Sequence, residues 1–315
     1  MISGSFERVS LPLDRPFTIS RGTTEVTENV IVRLEDEGGR TGIGAAAPSS
    51  HYGETADTVE AVLPDLLAIV ESIDDPHALE TIERRCAEAV RENPAARCAV
   101  SIACHDLAAK RIGLPLYRYW GLDAGRTIHT SYTIGIDDPQ EMGERARDAV
   151  DAGHDVLKIK LGTERDIEIL AEVRESVPDA RIRVDANEAW SPKEAVRKTR
   201  TLQDFDVEFV EQPVPAEDPE GLKHVHDRSP LPIAADESLV TLEDVPRISS
   251  RADIANLKLM KCGGLREAQR IIHAARAHGL DVMCGCMVET TASISAACHL
   301  APLLDYADLD GSLLL

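Results

Sequence analysis

The chain has 315 residues, 43% apolar and 28% charged, which is the profile of a folded globular protein with room for about two domains. Its formal charge of −21, from 55 acidic against 34 basic residues, argues against nucleic acid or an anionic membrane as partner. No run approaches the ~18 apolar residues of a membrane span, and residues 1–10 lack a basic stretch followed by an apolar one, so the expected location is the cytoplasm.

The seven cysteines form no CxxC pair and read as reduced, mostly buried thiols. Only eight of the basic residues are lysines, and so acidic a chain with so few lysines reads as adapted to high salt, a halophilic protein.

Strand-like runs open the chain at residues 5–13, 28–35 and 42–47, with a hairpin turn signal at 35–40. The glycines from Gly38 to Gly44 join two strands and open no helix, so they read as a turn and not a phosphate loop. From Thr55 to Lys110 the spacing of Val59, Leu63, Leu66 and Leu67, and of Val100, Ala103, Cys104 and Leu107, predicts helix. Residues 1–123 are therefore expected to form a small α+β domain.

After Gly121, short apolar runs alternate with polar helical windows, at 128–134, 156–161, 182–185, 207–211, 233–236, 254–260, 282–287 and 306–310. Lys160 to Asp185 is 25 residues, Asp185 to Glu211 is 26, Glu211 to Asp236 is 25 and Asp236 to Lys258 is 22. An ionisable group thus closes each successive strand. A repeated βα unit of this period predicts an α/β fold, a (β/α) TIM-type barrel over residues 124–315, with an open doubly wound sheet as the weaker alternative. A barrel brings the C-terminal ends of all its strands onto one face, so these groups converge.

Asp185, Glu211 and Asp236 would then be three carboxylates on adjacent strands, an arrangement that repels itself unless a cation sits among them. Oxygen ligands without His or Cys point to Mg²⁺, with Mn²⁺ as the alternative ion; neutralisation by neighbouring lysines is the competing reading. Lys158 and Lys160 alternate around Ile159 and share a face, while Lys258 approaches from strand six. A metal flanked by amines on two sides suits proton movement on both faces of a bound carbon, and burial beside a cation is expected to lower a lysine pKa into a usable range.

Lys158-Ile159-Lys160, Val184-Asp185-Ala186-Asn187, Val210-Glu211-Gln212-Pro213, Ala235-Asp236-Glu237-Ser238 and Leu257-Lys258-Leu259-Met260-Lys261-Cys262-Gly263-Gly264 together carry a resemblance. The chain resembles the enolase superfamily, in its muconate-lactonizing subgroup. That resemblance implies a modified (β/α)7β barrel under an N-terminal capping domain. It implies that Asp185, Glu211 and Asp236 bind Mg²⁺, that Lys160 and Lys258 are the acid/base pair, and that Lys158 assists beside the substrate carboxylate. Lys261 has no mapped role and is expected to be solvated or salt-bridged.

Asp308-Leu309-Asp310 resembles the aspartate pair by which dipeptide epimerases hold a substrate ammonium, which implies a dipeptide with a free amine. The expected reaction is epimerisation of the C-terminal residue of a dipeptide of the L-Ala-D/L-Glu type through an enolate. O-succinylbenzoate synthesis or muconate-type cycloisomerisation is the alternative, disfavoured because a local anion pair would repel a dicarboxylate. A barrel kept for binding or structure is the non-enzyme reading, and it has no need of opposed lysines around a carboxylate triad.

By the same resemblance, Arg21 matches a loop position that binds an acidic side chain, and Thr133, Cys286 and Val288 are expected to touch the dipeptide. His105, His129 and His299 fall outside the strand ends and take no role. A homo-oligomer accords with the family. By the resemblance, family members continue past strand eight with a helix and a tail, whereas this chain ends five residues beyond Asp310: either the protein is short or the tail is missing, and a tail genuinely absent would leave the barrel mouth more open.

Overall fold

The computed structural model describes residues 1–315. Three antiparallel strands, β1 (Ser3–Ile19), β2 (Gly22–Glu35) and β3 (Thr41–Ala46), form a meander in the order β1-β2-β3. The Asp36 carboxylate makes the predicted turn, accepting from Gly38 N at 2.9 Å and Arg40 N at 3.1 Å. β1 and β2 run well past the predicted limits, with a break in register between Pro12 and Phe17, because their tip continues over the barrel, where Ile136 N donates to Thr18 O at 2.8 Å.

The predicted helical stretch is three helices, α1 (Ala56–Ile73), α2 (Leu79–Ala89) and α3 (Pro94–Ile112). The divisions fall at Asp74 and Asn93, both with left-handed φ (56° and 58°) and each one or two residues ahead of a proline. Thr55 and Thr58 cap the start of α1 reciprocally. Val59, Leu63, Leu66, Leu67 and Val70 bury its inner face, at ~1.5–3 kcal/mol per side chain. Gly42 and Gly44 let β3 lie directly on α3, where a Cβ would stand 2.2 Å from Ala103 O and 2.0 Å from Ala99 O. A short turn, α4 (Leu116–Tyr119), follows.

Eight parallel strands come next: β4 (Tyr132–Ile134), β5 (Val156–Lys160), β6 (Arg181–Asp185), β7 (Val207–Glu211), β8 (Ile233–Ala235), β9 (Ile254–Lys258), β10 (Asp281–Gly285) and β11 (Tyr306–Asp308). They pair in sequence order, and a bridge between Thr130 and Ala307 brings the last strand against the first, giving a nearly closed barrel. Its helices are α5 (Pro139–Asp151), α6 (Asp166–Ser176), α7 (Pro192–Leu202), α8 (Pro219–His226), α9 (Val245–Ile248), α10 (Leu259–Cys262), α11 (Leu265–Ala277) and α12 (Thr291–Cys298). Asp138, Ser191 and Asp218 cap α5, α7 and α8, each ahead of a proline in the first turn. The first barrel strand is shorter than the predicted 128–134, its early part reduced to that single bridge.

One core of 51 buried residues joins α1–α3 to the β8–β11 side of the barrel, and a second of 23 lies around β4–β7. The N-terminal layer is thus rooted on one half of the barrel and reaches the other through its hairpin tip. Buried Arg183, 2.7 Å from Glu208 and stacked over Phe209 and Tyr306, fills the barrel interior below the strand ends. All seven cysteines are free thiols, five of them buried. No helix is long and apolar enough to cross a membrane.

Candidate active site

Asp185 and Glu211 end β6 and β7, and Asp236 follows β8; all three are fully buried, with one oxygen from each within 4.8 Å of the others. The backbone leaves these strands sharply: Asn187 (φ 42°), Glu188 (70°) and Gln212 (35°) are left-handed without being glycine, a strain of order 1–3 kcal/mol each. Hydrogen bonds hold the bend. Asn187 N donates to Asp185 Oδ1 at 2.8 Å, and Gln212 Oε1 accepts from Asp236 N at 2.9 Å and Ser238 N at 3.1 Å.

Four lysines surround the carboxylates. Lys158 Nζ lies 3.1 Å from Asp185 Oδ2, 2.8 Å from Glu211 Oε2 and 2.7 Å from Asp308 Oδ2. Lys160 Nζ is 2.6 Å from Asp185 Oδ2, and Lys258 Nζ is 2.7 Å from Asp236 Oδ2. Lys261, expected to be solvated or salt-bridged, is salt-bridged and buried: its Nζ lies 2.5 Å from Asp236 Oδ1 and 3.1 Å from Asn256 O.

The charges set one another. Burial pulls the Lys158 ammonium down, but Asp308, Glu211 and Asp185 outweigh it and hold its pKa well above the ordinary lysine value. Lys258 is raised in the same direction, burial being overcome by Asp236. These directions are set by the carboxylates alone; a cation held among them would act on the lysines in the opposite sense. Burial raises Glu211 to about 8, whereas Lys160 and Lys158 overcome the burial of Asp185 and take it to about 2.

The donor set fits a hard divalent cation. Glu211 Oε2 and Asp236 Oδ2 are buried and lie within ion-pair reach of a lysine, yet accept no well-directed hydrogen bond, so each keeps a lone pair free for a ligand. Asn256 Nδ2 steadies Glu211 at 2.8 Å. Asn256 lies two positions before Lys258, so strand alternation could have found it.

A cavity of about 310 Å³ is lined by Arg21, Thr133, Lys158, Lys160, Lys258, Cys286, Val288, Asp308 and Asp310 among others, and its three lysines are the ones ion-paired to the triad, whose carboxylates do not themselves line it. Asp308 accepts from Ser131 Oγ at 2.6 Å and Asp310 from Thr133 N at 2.6 Å. Burial and neighbouring Asp308 raise Asp310 to about 6, while Lys158 outweighs burial to lower Asp308. Cys286 Sγ accepts from Gly311 N at 3.3 Å.

Arg21 is engaged with the protein itself: Nη1 lies 2.8 Å from Glu237 Oε1, 3.0 Å from Glu188 Oε2 and 3.2 Å from Asn187 O. These partners had no separate signal, since they come from the bends after the ligand strands.

Residues 141–312 match the family model described as enolase C-terminal domain-like, and residues 4–121 match the mandelate racemase / muconate lactonizing enzyme N-terminal domain. The chain is 38% identical to an L-Ala-D/L-Glu epimerase of Bacteroides thetaiotaomicron, over 99% of this chain and 80% of that protein. It superposes with a TM-score of 0.94 on the dipeptide epimerase of Enterococcus faecalis complexed with Mg and L-Leu-L-Tyr, at 38% identity, covering 100% of this chain and 91% of that one. The substrate-liganded L-Ala-D/L-Glu epimerase of Bacillus subtilis gives 0.90 at 35% identity, covering 100% and 91%.

Proposed function

The chain belongs to the enolase superfamily, in its mandelate racemase / muconate lactonizing enzyme family, and from that membership we propose that it is an Mg²⁺-dependent dipeptide epimerase of the L-Ala-D/L-Glu type. The observation that carries this reading is a cavity lined by Lys160, Lys258, Asp308 and Asp310, with each of the two lysines ion-paired to a member of the buried carboxylate triad. Residues 1–123 act as the cap and 124–315 as the catalytic barrel.

Asp185, Glu211 and Asp236 would hold Mg²⁺, which supplies Lewis-acid polarisation of the substrate carboxylate and so acidifies the neighbouring C–H. Lys158 lies beside that carboxylate. Asp308 and Asp310 accept from the substrate ammonium, which orients the dipeptide and disfavours a dicarboxylate in its place. Thr133, Cys286 and Val288 wall the cavity, and Arg21 keeps Nε and Nη2 for an acidic second side chain.

One lysine, as the free amine, takes the α-proton of the C-terminal residue, and the C–H electron pair moves into the carboxylate as the enolate forms. The other lysine, as ammonium, returns a proton to the opposite face. Each lysine thereby exchanges its protonation state with the other, and the configuration inverts. The acid excess belongs to the same reading, as that of a cytoplasmic enzyme working in high salt.

Proton NMR in D₂O with Mg²⁺ and L-Ala-L-Glu tests it. Solvent exchange at the second α-carbon with appearance of the epimer is expected. An intact α-proton in every dipeptide offered, with succinylbenzoate-type substrates turned over instead, overturns it.

A further inference from the structure

A second cavity, of about 720 Å³, lies between the N-terminal layer and the barrel and shares no lining residue with that of Lys160 and Lys258. α2 and the N-terminal half of α3 wall it on one side, α10 and the N-terminal half of α11 on the other, so both domains contribute. Five arginines and four glutamates line it. Arg84 is paired with Glu80 and Glu88, and Arg270 with Glu267. The fourth glutamate, Glu83, faces Ser101 Oγ at 2.6 Å and makes no ion pair. Arg91, Arg97 and Arg266 are thereby left without a carboxylate, in a chain whose 55 acidic residues outnumber its 34 basic ones. An arginine drawn out of water is ordinarily paired. Arg97 and Arg266 are both half-buried, and Arg97 Nε is buried with no hydrogen-bond partner. Gly263, left-handed at φ 88°, brings backbone close under that guanidinium: a Cβ there would stand 3.3 Å from Nη2 and 3.4 Å from Cζ.

We propose that this cavity binds a small multivalent oxyanion, phosphate- or carboxylate-bearing, through Arg97 and Arg266 with Arg91 beside them, and that the bound anion braces the cap against the barrel. A guanidinium is matched to such groups because its fork offers parallel N–H donors to two oxygens at once. Burial raises Glu83 to about 7, which weakens the one opposing charge near neutrality. α10 begins directly after Lys258 and carries Lys261, paired to Asp236, so the brace adjoins the segment that leads out of a lysine-bearing strand end. None of this depends on the dipeptide reading.

Calorimetric titration of the Mg²⁺-loaded protein with inorganic phosphate and, separately, with tricarballylate tests the site and tells the two sources apart. The class that binds with a Kd of about 1 mM or tighter is the one the cavity takes. Arg97→Gln and Arg266→Gln should each weaken that binding about tenfold or more. The same anion should raise the thermal unfolding midpoint of wild type by ~2 °C or more and leave that of the double variant in place. Arg97→Lys keeps the charge but not the fork, should fall between wild type and Arg97→Gln, and stands in for the latter if it fails to fold. Binding of neither probe overturns the proposal. So does equal affinity in wild type and variants, the result that an anion held at the carboxylate triad's own cation would give.

Discussion

Asn29 of β2 straddles Glu289 in the β10–α12 loop: its amide donates to Val288 O at 3.4 Å and its carbonyl accepts from Thr290 N at 3.2 Å. Glu289 in turn accepts from Met287 N at 2.9 Å, so one fully buried cap residue fixes the wall that carries Cys286 and Val288. Asn29→Ala removes the partner of two part-buried backbone groups. The expected outcome is a loss of ~1–3 kcal/mol in thermal unfolding and a raised KM with little change in kcat. An unchanged KM would mean that the loop holds itself.

Lys160 and Lys258 approach the triad from β5 and β9, through Asp185 and Asp236 respectively. Each Lys→Ala variant is expected to lose epimerisation by at least ~10²–10⁴-fold. Each should still exchange the α-proton of at most one configuration, because one base remains. Deuterium incorporation into separate L-L and L-D substrates checks this, and exchange of both configurations by either variant would contradict the assignment.

Asp308→Asn and Asp310→Asn address the ammonium. Asp308 also balances buried Lys158 at 2.7 Å, so its loss is expected to cost more than that of Asp310, on the order of 10²–10³ in kcat/KM against ~10-fold. The comparison with an N-acetylated dipeptide is the readout. Wild type should prefer the free amine, and both variants should narrow that preference.

Chelation with EDTA is expected to abolish exchange and leave the far-UV circular dichroism unchanged, since Lys158, Lys160, Lys258 and Lys261 all pair with the carboxylate cluster. Mg²⁺ should restore activity. Loss of helical signal on chelation would show that the lysines do not suffice.

Glu83, on α2, accepts from Ser101 Oγ at 2.6 Å, and burial raises it from 4.5 to about 7 against the pull of that hydroxyl and of Arg266. The folded protein therefore binds more protons than the unfolded chain between these values. Its contribution is favourable below about pH 4.5 and lost as pH rises through about 7. Glu83→Gln should match wild type near pH 4 and exceed it in stability by ~1–2 kcal/mol near pH 8. A pH-independent difference in urea midpoints would contradict the shift.

The barrel and its triad were legible because strand ends recur every 22–26 residues and carry an ionisable group each time. Period and placement are both properties of the chain read in order. The partners of Arg21 were not legible, since Glu237 lies 216 residues away and Glu188 occupies a left-handed bend that no local signal announces. The lysines' partners were not legible for a related reason: sequence places amines near a site but does not show which carboxylates they face. The division of the first helical stretch was readable in hindsight from Asp75-Pro76 and Asn93-Pro94.

Gly42 and Gly44 press β3 onto the backbone of α3, and a sheet seated without intervening side chains has no layer on which to slide. The register break between Pro12 and Phe17 lies beyond that seat and ahead of the hairpin tip that carries Arg21. The tip is therefore anchored to the barrel by its own hydrogen bonds, from Ile136 N to Thr18 O and from Arg21 to Glu237, apart from the shared core below. Residues at the tip and the strands that align the two lysines thus belong to separately anchored parts of the fold.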